Sequence, residues 1–165
     1  MRKPSPRGTG QPSPGAIGGW LILVAAGLLI LPIRLGLFIV EDLLPAFSKE
    51  AWPLLTTPGS PAYHPLNKPL LLFEVAGNGL LLAGGLAVAL LFFRKLRSFP
   101  AAAVGFLILA VAFYIGDYVL SLQIPAVAEQ SGTESKLDLI GAILTAVVLA
   151  SYFLLSKRVK QTFVR

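Results

Sequence analysis

The stretch Lys68–Arg94 reads KPLLLFEVAGNGLLLAGGLAVALLFFR. Between Pro69 and Phe93 it carries one formal charge, Glu74, and one side-chain amide, Asn78. At about 1.5 Å per residue, this run crosses a hydrocarbon core of roughly 30 Å with some tilt. A carboxylate inside such a run is costly unless it finds a partner. Three further apolar runs, about 16–40, 99–122 and 137–155, each carry or adjoin a polar group: Arg34, Asp117 and Asp138. The pattern predicts an all-α membrane protein, a bundle of four transmembrane helices at about 16–40, 69–93, 99–122 and 137–155.

Composition leads to the same class. The chain has 165 residues, 55% hydrophobic and only 13% charged, and its mean hydropathy is +0.76. Soluble domains carry about a quarter charged residues, so lipid is this chain's solvent. There is no cysteine and one histidine, His64, which lies outside every apolar run. Disulfide exchange, cysteine-held metals and haem held by two helix histidines are therefore outside its chemistry. No nucleophile–base pair or metal-ligand cluster is visible. The expectation is no enzyme, no cofactor, no metal and no nucleic-acid partner.

Around the spans, residues 1–15 form a basic tail rich in proline, glycine and serine, expected to be disordered. The segment Glu41–Lys68 contains five prolines. It reads equally as a partly helical interfacial stretch or as an irregular loop. Gln123–Lys136 reads as a polar loop, and 157–165 as a basic tail. Pro32 is expected to kink the first helix. Gly79, Ala83 and Ala87, and again Ala142, Ala146 and Ala150, recur at helical spacing as small-residue seams for close packing.

Charge placement sets the topology. The N-terminal tail holds three Lys/Arg, the turn after the second helix three, and the C-terminus four, of fourteen in all. Lys49, Lys68 and Lys136 lie in the opposite loops, and Arg34 lies within the first helix. The positive-inside rule then places both termini in the cytoplasm. All eight acids fall in the opposite half or its loops.

Several pieces resemble a known family. They are Ile17-Gly18-Gly19-Trp20-Leu21, Glu74 with Gly77-Asn78, and the ending Tyr152-Phe153-Leu154-Leu155-Ser156-Lys157-Arg158-Val159-Lys160-Gln161-Thr162-Phe163-Val164. Together they resemble the bacterial inner-membrane family known as domain of unknown function 2569, over roughly residues 15–164. The resemblance implies a four-helix inner-membrane protein and brings no established activity, substrate or catalytic residue.

The candidate site is a polar layer of Arg34, Glu74, Asn78, Asp117 and Asp138. Helical rise puts Arg34, Glu74 and Asp117 at a similar depth, about 7–9 Å inside one boundary. Asn78 lies one turn deeper, on Glu74's face. An interior contact of Arg34 with Glu74, Asp117 or both is the expected remedy for three buried charges. The layer serves either as a structural pairing or as a site for a proton or a polar headgroup. Lys157, Arg158 and Lys160, with Phe163, form a second candidate, for anionic lipid. Two function classes follow. One is a non-enzymatic accessory or scaffold protein acting through helix packing with lipid, a membrane-protein partner or a second copy. The other is a small transporter or proton-coupled carrier using Arg34, Glu74, Asn78 and Asp117.

Overall fold

A computed structural model describes residues 19–164. Those residues form helices joined by turns, with no strand among them. The N-terminal tail and the start of the first predicted helix lie outside them. The helices are α1 (Trp20–Phe38), α2 (Ala51–Thr56), α3 (Asn67–Phe93), α4 (Phe99–Ser121), α5 (Pro125–Leu155) and α6 (Lys157–Thr162). After α1 the chain continues through one π turn, Ile39–Leu43, and one 3-10 turn, Leu44–Phe47. Four segments are long and apolar enough to cross a membrane: Trp20–Phe47, Asn67–Phe93, Phe99–Ser121 and Thr133–Leu155.

The connections decide which helices become neighbours. α3 ends with Lys95 in the left-handed region at φ 55°. Lys95 N–H donates to the Phe92 carbonyl and Leu96 N–H to the Leu91 carbonyl. This pairing closes a helix C-terminus within two residues. α4 restarts four residues later with Pro100 in its first turn, where a missing N–H costs nothing. A turn this short makes α3 and α4 antiparallel neighbours. The packing order is α1 against α3, α3 against α4, and α4 most extensively against α5. α1 and α5, the two ends of this arc, meet only marginally along their lengths.

Two connecting segments are more ordered than their composition indicates. The stretch expected as a polar loop, Gln123–Lys136, is helical from Pro125 onward. Gln123 and Ile124 close a tight turn onto Leu120 and Ser121, and Ile124 is buried. Pro125 then starts α5, whose alanines, glutamates and lysine are good helix formers. Polarity there marks an end beyond the hydrocarbon rather than a break in the helix. In the proline-rich connection, Asn67 is buried, and its Nδ2 donates to the carbonyls of Leu55 at 3.0 Å and Ala62 at 2.9 Å. These bonds tie the connection to the start of α3. The Phe47 and Trp52 rings stack over it at 5.0 Å.

The main core lies at the basic end. Phe92 of α3, Phe99 of α4, Phe153 of α5 and Phe163 pack ring on ring with Leu21, Val24 and Val159. Centroid separations run from 4.4 Å for Phe99–Phe163 to 5.5 Å for Phe92–Phe163. The segment 157–165 was expected as a basic tail, yet 157–162 is α6, and Val159, Thr162 and Phe163 are buried. The Ser156 hydroxyl caps α6 by accepting from Val159 N–H at 3.4 Å. The buried positions are spaced i, i+3, i+4, which gives this short helix one apolar face. Phe163→Ala removes a ring from this core and should lower stability by about 3 kcal/mol. Val164→Ala, at an exposed position, should leave it unchanged. Equal melting temperatures for the two variants in detergent would contradict this packing.

Candidate functional site

The far end of the bundle is set by two ring-and-glycine contacts between α3 and α4. A Cβ on Gly77 would lie 1.9 Å from the Phe113 ring, and a Cβ on Gly116 would lie 2.8 Å from the Phe73 ring. Only glycine leaves room for either ring. Phe73 and Phe113 themselves stack at 5.2 Å. Each acid sits next to one member of this interlock: Glu74 follows Phe73, and Asp117 follows Gly116. The interlock thereby delivers the two carboxyl groups to each other, and they come within side-chain hydrogen-bonding reach.

The aromatic core gives a common ruler for depth. Phe92 and Phe99 are in ring contact at 5.1 Å, and Phe99 and Phe153 at 5.3 Å. Glu74 lies eighteen residues from Phe92, and Asp117 eighteen from Phe99, so both sit about 27 Å above the core by helical rise. Tyr114 lies fifteen residues from Phe99, and Asp138 fifteen from Phe153, which puts both at about 22 Å. Arg34, thirteen residues from the core residue Leu21, lies at about 20 Å. Tyr114 is within electrostatic reach of Arg34, Asp117 and Asp138, and Asp117 within reach of Asp138. All four spanning helices therefore contribute to one layer.

The pairing inside the layer differs from the one expected. Arg34 is exposed on α1. Among the described residues it makes no ion pair within 4.0 Å. The contact at the centre is carboxyl to carboxyl, Glu74 with Asp117, and Arg34 reaches the layer through Tyr114. Asn78 is buried, and its Nδ2 donates 2.9 Å to the Glu74 carbonyl in its own helix. Its amide thus bonds the backbone of its own helix rather than a neighbouring carboxyl group. Asp138 is exposed on α5. Among the described residues no three His, Cys, Asp or Glu side chains gather as metal ligands.

The small-residue seam of α3 also lies elsewhere than expected. Gly79, Ala83 and Ala87 are exposed, and a Cβ on Gly79 would meet open space. The glycines that admit neighbouring side chains are Gly77, Gly84 beside Phe106, and Gly85 beside Leu31. On α5, Ala142, Ala146 and Ala150 are half-buried. Next to the interlock an open apolar groove of about 370 Å³ runs along Phe73, Gly77, Leu80, Leu109 and Phe113, and its lining suits hydrocarbon. At the basic end Lys157 and Lys160 are exposed, and Arg158 is half-buried with its guanidinium against Gly19. Phe163 is buried and so does not reach lipid alongside them.

Sequence reading missed the interlock. The available signal was the near-mirrored spacing of Phe73-Glu74…Gly77 and Phe113…Gly116-Asp117. Two carboxyl groups in contact are tolerable when a hydrogen lies between them. Glu74→Gln supplies an amide donor to Asp117 and should preserve stability. Glu74→Ala leaves Asp117 without that contact and should cost about 1–3 kcal/mol. Thermal unfolding of both variants in detergent checks this, and equal losses would exclude a bonded pair.

No curated protein and no solved structure matches the chain. A family model does match, over residues 14–164, nearly the whole length, and its description is Protein of unknown function (DUF2569). With four spans able to cross a membrane and a match of this extent, the chain belongs to the DUF2569 family.

Proposed function

We propose that this is a non-enzymatic accessory protein of the bacterial inner membrane, with both termini cytoplasmic, that works by holding a lipid or a partner helix. The observation that carries this reading is the unclosed edge of the arc. α1 and α5 are joined through the core at the basic end and pack only marginally elsewhere. Arg34 and Asp138 stand on those two helices. An edge of this kind, with polar groups at membrane depth, favours an occupant from outside the chain. The apolar groove beside Phe73 and Phe113 suits an acyl chain or an apolar helix face. The ten Lys/Arg of the two tails and the α3–α4 turn support the cytoplasmic placement of the termini.

A second reading has its own support. The contact of Glu74 with Asp117 inside two spans suits a protonatable pair in a proton-coupled carrier.

Native mass spectrometry of the protein, extracted gently from its own membrane, tests the first reading. A retained lipid or a stoichiometric partner is the expected result, and a bare monomer would contradict it. Proton flux into liposomes under a pH gradient, abolished in Glu74→Gln, is the result the carrier reading requires.

A further inference from the structure

The two exposed charges of the layer stand on opposite helices and lack partners within the described chain. Arg34 is on α1 and Asp138 on α5, about 20 and 22 Å above the aromatic core by helical rise. Neither makes an ion pair within 4.0 Å among the described residues. Tyr114 of α4 packs on the cluster that holds Leu35, the residue after Arg34, and both charges are within electrostatic reach of its phenol. The Glu74–Asp117 pair lies about one turn further from the core. Arg34 falls well inside the span Trp20–Phe47. A charge at that depth calls for a counter-charge.

A simple cation would satisfy Asp138 and leave Arg34 uncompensated. A simple anion would do the reverse. A group carrying both charges offers a counter-charge to each of the two helices. We propose that the layer around Tyr114 is a binding site for a small zwitterion, its phosphate on Arg34 and its primary amine on Asp138. The headgroup of an ethanolamine phospholipid, entering between α1 and α5, has this chemistry, as does free phosphoethanolamine. A guanidinium pairs with phosphate through two parallel hydrogen bonds. A primary ammonium donates to Asp138 and to the Tyr114 oxygen, which a quaternary choline head cannot do. The proposal rests on the reading of this protein as one that holds lipid.

The full chain, delipidated in detergent, is titrated with ethanolamine, choline and glycerol phospholipids and examined by native mass spectrometry. One ethanolamine lipid per chain, preferred over the other two by about tenfold, is the expected result. Arg34→Gln should abolish that preference. Asp138→Asn should shift it toward the anionic glycerol lipid, because Arg34 then stands alone, and a merely structural role would not produce that shift. Displacement of the lipid by free phosphoethanolamine would assign the site to the soluble zwitterion, with the same two contacts. Lipid retained without regard to headgroup, in the parent and in both variants, overturns the zwitterion site and leaves the lipid-holding reading intact. A chain that retains neither lipid nor phosphoethanolamine overturns both.

Discussion

Everything at the polar end depends on two phenyl rings occupying the space where two glycines lack a side chain. In lipid, helices gain little from hiding apolar surface, because acyl chains are as apolar as leucine. What holds them is close contact, and contact is closest where one surface has a hollow and the other a matching bulk. Phe113 over Gly77 and Phe73 over Gly116 supply two such matches within one turn of each other on α3 and α4. The stacking of the rings at 5.2 Å locks the two contacts together. Because Glu74 and Asp117 are covalent neighbours of this device, the register that seats the rings also brings the carboxyl groups into reach.

The bundle has two ends with different physical character. At the basic end, four phenylalanines from three spanning helices and the C-terminal segment form a compact plug, and α6 is drawn onto it by Val159 and Phe163. At the acidic end Arg34 and Asp138 stand exposed on α1 and α5, two helices that scarcely pack against each other.

The four spans were legible in the sequence because a long apolar run answers to one physical demand, the thickness of the hydrocarbon. Their mutual orientation was not. A soluble helix marks its inner face with apolar residues, but here the lipid-facing and core-facing sides are both apolar. Spacing alone therefore could not tell that Gly79, Ala83 and Ala87 face outward while Gly77, Gly84 and Gly85 admit neighbouring side chains. The polar layer was legible as a depth, since helical rise is fixed. Its pairing was not legible, because opposite charge suggested Arg34 for Glu74, whereas ring packing placed Asp117 there. The segments read as loop and tail were helical for an equally local reason. Polar residues at a membrane boundary form helix as readily as apolar ones do, and composition reports the solvent more directly than the backbone.

The central claim is that the ring-in-glycine contact, rather than small residues in general, fixes α3 on α4. The most direct test is a matched pair of substitutions two residues apart in the same helix, Gly77→Ala and Gly79→Ala, compared by thermal unfolding in one detergent. Both changes raise helix propensity by about 1 kcal/mol. At Gly79 nothing opposes the new methyl group, so the melting temperature should hold or rise. At Gly77 the methyl group collides with the Phe113 ring, and overpacking should cost about 1–3 kcal/mol and lower it. Equal behaviour of the two variants would contradict the account.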